Sequence, residues 1–213
     1  MLRNYLKIAF RNFTKNSLYS FINVTGLSIG LACSILILLW VADEQSFNQA
    51  LPNKENIHQL YINATYDGEI TSFNSVPLPS YQELKTTDSR IKNAAVSDWG
   101  SEYLIANGET RIRKSGMYAS EEFLQIFQFT MLAGNGATAL SDASSIVLTE
   151  STARALFGDA DPMGQVVRID NATDLKVSGI LQDLPHNSSF SFEVLLPWKL
   201  NQQQEWVKEN ETE

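Results

Sequence analysis

Between Ile22 and Val41 the chain runs for twenty residues without a charged side chain. A helix needs about 20 apolar residues to cross roughly 30 Å of hydrocarbon, so this stretch reads as a membrane span. Arg3, Lys7, Arg11 and Lys15 precede it with no acid among them, Asp43 and Glu44 follow it, and the next cation is Lys54. By the positive-inside rule the N-terminus is expected in the cytoplasm, with about 170 residues after Val41 on the far side.

A cleavable signal peptide fits poorly. Its apolar region is typically 7–15 residues and closes on a small-x-small site, whereas this run closes on Trp40-Val41-Ala42-Asp43-Glu44. Leu31-Ala32-Cys33 faintly resembles a lipoprotein signal, but Gly30 stands at position −3 and the apolar run continues past the cysteine through Trp40. Retention as a signal anchor is the better reading. Cys33 is the only cysteine, so no intramolecular disulfide can brace the outer part.

Charge divides at the span. The net −8 splits into +4 before it and −12 after it, where 24 acids face 12 bases. So acidic an outer part has no electrostatic reason to bind nucleic acid or anionic headgroups. The total of 213 residues allows one ordinary domain beside the anchor.

Four regions are expected. Residues 1–17 form a cytoplasmic amphipathic basic helix, 18–42 the transmembrane helix, 43–200 an extracytoplasmic domain and 201–213 a polar tail. At 100° per residue Arg3, Lys7, Arg11 and Lys15 share one arc and Leu2, Tyr5, Leu6, Ala9, Phe10 and Phe13 the opposite one. That pattern suits a helix lying on membrane lipid; a plain topology signal would carry the same cations. Asn16 and Ser17 offer a break and a cap. Gly26 and Gly30 make a small-xxx-small face that permits close helix contact, although glycine is common in such helices.

Beyond the span the period changes. Strands are expected over 57–65 and 69–73, joined by the turn Asp67-Gly68, with a short helix from Ser80 packing over that hairpin. Strands follow at 91–97, 102–106 and 110–117, the last two joined at Asn107-Gly108, with Arg111 and Arg113 on one face. A short helix over 121–127 gathers Phe123, Ile126 and Phe127, and an extended piece at 129–133 ends at Gly134. Ser145–Thr149 reads as a strand, with Thr149 capping a helix over 150–157 that stops at Gly158. A hairpin of 165–169 and 175–181 turns at Asp170-Asn171, and a last strand covers 191–196. The mixture is α+β: an N-terminal amphipathic helix and one transmembrane helix followed by a mixed α+β extracytoplasmic domain.

The chain lacks a Gly-x-x-x-x-Gly-Lys-Ser/Thr loop, a Gly-x-Ser-x-Gly elbow and a His-Glu-x-x-His pair, so no nucleotide-hydrolysing or common hydrolytic centre is readable. No catalytic residue, cofactor site or metal site is expected. His58 and His186 lie 128 positions apart with no cysteine outside the span to join them on zinc. Glu121/Glu122 diverge by 100° on a helix, and Asp159-Ala160-Asp161-Pro162 lacks the ligand series of a calcium loop. Helix-start and turn roles explain both pairs. Asn-x-Ser/Thr triplets at Asn12, Asn23, Asn63, Asn171, Asn187 and Asn210 follow from composition and receive no function.

Two segments carry a resemblance. The stretch LRNYLKIAFRNFTKNSLYSFINVTGLSIGLACSILILLWVADEQSFNQ resembles the N-terminal region of FtsX/MacB-type ABC transporter permeases of Bacteroidetes. SIVLTESTARALFGDADPMGQVVRI, followed by VSGILQDLPHNSSFSFEVLLP, resembles that family's MacB-like periplasmic core domain. The resemblance implies a non-catalytic permease subunit of the inner membrane, its large periplasmic domain inserted after the first of four helices. It further implies a separate ATPase as partner, together with further permease helices or a second permease copy and a possible periplasmic partner protein. Motion, rather than solute through a channel, would be passed to the outer domain. The chain departs from that pattern after Trp198, continuing as KLNQQQEWVKENETE without a second span, so it reads as the N-terminal portion of a permease whose core domain is incomplete. The rival readings are a single-span sensor or protein-interaction module and an anchored envelope enzyme; the first would need a ligand pocket, and the motif search disfavours the second.

Overall fold

The structure is a computed structural model that describes residues 2–49, 51–77 and 79–203. It divides into two units at Phe47/Asn48. The polar tail from residue 204 on, with Asn210, lies outside the described residues.

In the first unit, helix α1 spans Leu2–Lys15 and helix α2 spans Ser17–Ser46. Arg3, Lys7, Arg11 and Lys15 are exposed. The break falls at Asn16, whose backbone (φ −118°, ψ 54°) leaves the helical region; its side chain makes no cap hydrogen bond, and its carbonyl accepts the Ser20 N–H at 3.0 Å instead. At 30 residues α2 is about 45 Å long. It is long and apolar enough to cross a membrane, and none of its most apolar window is buried. Ile22, Leu27, Leu36 and Trp40 are 60%, 67%, 65% and 66% exposed, as on a helix that is apolar all round.

In the second unit, β1 (Ile62–Tyr66) and β2 (Glu69–Phe73) form a separate antiparallel hairpin in register Ile62↔Phe73. Asp67 and Gly68 turn it with φ of 50° and 87°, the paired positive values that a two-residue turn requires. The strand expected from residue 57 begins only at Ile62, because its single partner ends at Phe73. Helix α3 (Pro79–Thr87) starts at the proline, whose fixed φ and missing N–H suit a first helical position. All of β2 stays exposed, so the cover expected from α3 does not extend over that strand.

The larger sheet comprises β3 (Ser101–Asn107), β4 (Thr110–Ala119), β5 (Met131–Gly134), β6 (Ser145–Thr149), β7 (Val166–Ile169), β8 (Thr173–Leu181) and β9 (Val194–Pro197). Its order is β5-β8-β6-β9-β4-β3-β7, with β8 also pairing β7. The nine residues of β8 explain this double use: Thr173 to Lys176 pair with β7, while Gly179 to Leu181 pair with β5. Six strands thus close into a ring, and β5 lies outside it. The β4/β9 and β6/β8 pairs are parallel and the others antiparallel, so the sheet is mixed.

Two cores follow from strand alternation. Ile105, Ile146, Leu148, Val167, Ile169, Leu175, Val177, Val194 and Leu196 fill the inside of the ring, joined by Ala153 and Leu156 of helix α5 (Glu150–Phe157). Val147, Leu181 and Leu195 point the other way, against Ala119, Leu140, Phe192 and the Phe123 and Leu124 of helix α4 (Phe123–Phe127). Every residue of β6 and β9 is consequently buried. Leu124, rather than the expected Ile126, shares the buried side of α4 with Phe123. A short helix α6 (Trp198–Asn201) ends the described fold, its Trp198 and Asn201 buried.

Residues 91–97 do not form the expected strand. Only Ser97 bridges to Ala119, beyond which β4 has ended and offers no ladder. The line resumes at β3 after a kink at Gly100, where φ is +77° and a Cβ would stand 2.8 Å from the Gly116 carbonyl. The last strand begins at Val194 rather than 191, since Ser191 and Phe192 have no ladder partner.

Candidate functional site

The α5 N-terminus, the loop 183–192 and Glu193 enclose an open cleft of about 360 Å³. Thr149 and Ser151 supply one wall, and Asp183, His186, Ser188 and Glu193 line the rest, over a floor that includes Phe190 and Phe192. Local sequence explains the walls. Thr149 ends β6 in an extended conformation (φ −74°, ψ 160°), turning the chain into α5, and Gly158 ends that helix at φ 62°.

The cap differs from the expected one. The Thr149 hydroxyl donates to the Thr152 hydroxyl at 3.0 Å, and the Ser151 N–H is satisfied by the Asp183 carboxylate at 3.0 Å. A carboxylate there also meets the positive end of the helix dipole. Opposite, Lys114 Nζ lies 2.5 Å from Glu193 Oε1, and Glu193 Oε2 accepts the Ser115 N–H at 3.2 Å. The Glu193 backbone joins β4 to β6, donating to Ser115 O at 2.8 Å and accepting the Thr149 N–H at 2.9 Å.

Beneath the cleft five phenylalanines pack together. Phe190 meets Phe127 at 4.6 Å, Phe129 at 5.4 Å, Phe123 at 5.5 Å and Phe192 at 6.1 Å between centroids, all four edge-to-face. Such pairs are worth about 0.5–1.5 kcal/mol each beyond their buried area. The loop carrying Phe190 is held in turn by Asn48. Asn48 N–H donates to Asn187 O at 2.8 Å, its Nδ2 donates to Ser189 Oγ at 2.6 Å, and its Oδ1 accepts the Ser189 N–H at 2.8 Å.

Just before β3, Asp98 Oδ1 accepts the N–H groups of Tyr118 on β4 at 2.8 Å and of Gly100 at 3.2 Å. Burial pushes this carboxyl above its ordinary pKa, against the pull of those two donors. Burial likewise raises the Tyr103 phenol, with Tyr118 adding to the effect.

The residues singled out in the sequence do not converge. His58 is exposed in the segment before β1, and His186 stands on the cleft rim. Glu121 faces Lys199 at 3.4 Å, while the Glu122 carbonyl accepts the Gln125 and Ile126 N–H groups. Asp161 accepts the Met163 N–H at 2.9 Å inside its turn. Cys33 is exposed on α2, and a Cβ at Gly26 or Gly30 would meet nothing within 4 Å. Among the described residues no group of three His, Cys, Asp or Glu is placed to hold a metal ion. Asn48, Asp183 and Glu193 were not readable in advance, because each acts on a partner 32 or more positions away. The arrangement offers a polar recess over a packed aromatic floor, with backbone-capping acids on its walls.

Residues 20–212 match the family model described as the MacB-like periplasmic core domain. Among solved structures, a domain assigned to a permease protein of Porphyromonas gingivalis matches at 22% identity and a TM-score of 0.54, over 68% of this chain and 60% of that one. The periplasmic region of MacB from Actinobacillus actinomycetemcomitans matches at 15% identity and 0.50, over 62% and 59%. The extracellular domain of the noncanonic ABC-type transporter YknZ from Gram-positive bacteria matches at 16% and 0.48, over 61% and 66%. The chain therefore spans about 60% of the length of the first two, and at these identities the likeness is one of fold. No curated protein matches the chain. The family match runs from the apolar helix through the mixed α+β domain, and on it the chain belongs to the family of MacB-like periplasmic core domains.

Proposed function

We propose that this chain is the N-terminal portion of the membrane subunit of an ABC transporter of the MacB/FtsX type. It passes motion from a separate ATPase to its outer domain and performs no chemistry itself. The observation that carries this reading is the family match over residues 20–212, which begins inside the apolar helix. Charge supports the orientation: four cations before the span and −12 after it favour α1 on the cytoplasmic side and the domain from Asn48 onward on the periplasmic side. The partners are an ABC ATPase, membrane lipid, and further permease helices or a second permease copy. Gly26 and Gly30, open on α2, suit close packing of such a helix.

Purification of the chain from its native membranes in mild detergent tests this. An ATP-binding-cassette subunit is expected to co-purify in near-stoichiometric amount, with ATP hydrolysis in the complex. Absence of any cassette ATPase from material that retains the folded domain would remove the transporter reading.

A further inference from the structure

We infer that Asn48 is the positioning residue that delivers displacement at the end of α2 to the loop 187–189 and the cleft it walls; this rests on the transmission role proposed above. Only one residue, Phe47, separates Asn48 from the last helical residue, Ser46. Asn48 is bound three times to a loop some 140 positions away: N–H to Asn187 O at 2.8 Å, Nδ2 to Ser189 Oγ at 2.6 Å and Oδ1 from Ser189 N–H at 2.8 Å.

The residue type suits the task on two grounds. Its φ is +56°, a left-handed value that asparagine tolerates better than most side chains. Its amide offers a donor and an acceptor together, so it answers both the N–H and the hydroxyl of Ser189. Glycine would meet only the first condition. A carboxylate would lack the donor.

The loop so held leads inward. The Ser188 hydroxyl accepts the Phe190 N–H at 3.1 Å, and Phe190 is packed on four other phenylalanine rings. Two of those rings, Phe123 and Phe127, belong to α4, and the chain continues past Phe192 into the wholly buried β9. Packed interiors are dense and transmit strain. A pull at residue 48 therefore reaches the cleft wall, the aromatic cluster and a central strand through continuous contacts. A loop held by solvent alone would absorb it.

The test uses the full chain in nanodiscs of thin and thick lipid, because a change in bilayer thickness alters the tilt of a spanning helix. A nitroxide is placed at Ser191→Cys, an exposed cleft position, in a Cys33→Ser background, and compared with the same protein carrying Asn48→Gly. Glycine accepts the positive φ and keeps the N–H to Asn187 O, so the variant loses the two side-chain bonds to Ser189 without backbone strain. The nitroxide spectrum is expected to change with thickness when Asn48 is present and to lose that change in Asn48→Gly. Hydrogen exchange at the Ser189 amide is expected to rise about tenfold in the variant, with β6 and β9 unaltered. A thickness response that survives Asn48→Gly, a Ser189 amide that exchanges at the unmodified rate, or no response in either protein would overturn the inference. Co-purification of the ATPase is expected to be unchanged by Asn48→Gly; its absence from the unmodified protein would instead count against the transporter reading.

Discussion

The carboxylate of Asp183 accepts the backbone N–H of Ser151 at 3.0 Å, capping helix α5 from a loop 32 positions further along the chain. Thr149 occupies the N-cap position but spends its hydroxyl on Thr152. Asp183→Ala is expected to cost about 1 kcal/mol, the usual worth of such a cap. Asp183→Asn, which keeps an acceptor oxygen, is expected to lose less than half of that. Urea unfolding of the full chain in detergent, followed by near-ultraviolet circular dichroism, measures both. Equal losses would mean that charge, rather than the acceptor, matters.

Gly116 lets two strands approach. A Cβ there would collide with a methyl of Val194 and lie 2.9 Å from the Tyr103 ring, both on neighbouring strands. Gly116→Ala is expected to destabilise by about 1–3 kcal/mol through overpacking. Gly26→Ala, on a helix where nothing stands within 4 Å, serves as the contrast and is expected to leave the melting temperature unchanged. A silent Gly116→Ala would mean that the Val194 and Tyr103 side chains shift to admit the added methyl.

Local chemistry decided which elements could be read from sequence. The strand Ser145–Thr149, the helix Glu150–Phe157 with its stop at Gly158, and the return strand Glu69–Phe73 fall where periodicity and turn residues put them. Each is bounded by its own residues. Segments 57–61 and 91–97 have strand-type composition but no continuous partner, and a strand exists only as a pair. The ring closure was equally out of reach, since it depends on β8 serving β7 with one half and β5 with the other. Helix α6 has no counterpart among the expected elements, since it begins after the last expected strand, 191–196, and ends at the first residue of the expected tail. At the cleft, a lone Asp183, Glu193 or Asn48 carries no periodic or spacing signal. Their meaning comes from groups that folding brings to them.

Asp98 makes stability depend on acid. Its carboxyl titrates above the ordinary value of 3.8 because burial disfavours the charge. A raised carboxylate pKa favours the protonated folded form, so stability falls as pH climbs from about 4 through the raised value. Asp98→Asn keeps an oxygen for the Tyr118 and Gly100 N–H groups. The variant is expected to melt higher than the unmodified protein at pH 7, with the difference vanishing towards pH 3. Melting curves across that range measure it, and a variant less stable at pH 7 would show that the two donors outweigh burial.

Lys114 and Glu193 form an ion pair whose side chains are 22% and 35% exposed. Screening by solvent keeps the pair near the upper end of surface values, and Lys114→Met is expected to cost about 1 kcal/mol. The cost is expected to shrink in 1 M salt, where the screening length falls to about 3 Å. Denaturation midpoints at low and high salt read this directly. A salt-independent loss would assign the effect to packing of the lysine stem.

Orientation across the membrane carries the whole functional reading, because an outer domain can receive motion from a cytoplasmic ATPase only if α2 runs from inside to outside. A reporter that is active only in the periplasm, fused after Trp198 at the start of α6, tests it most directly. The expected result is full activity from that fusion and none from a cytoplasm-dependent reporter at the same position. The reverse pattern would contradict the orientation and, with it, the transmission of motion to this domain.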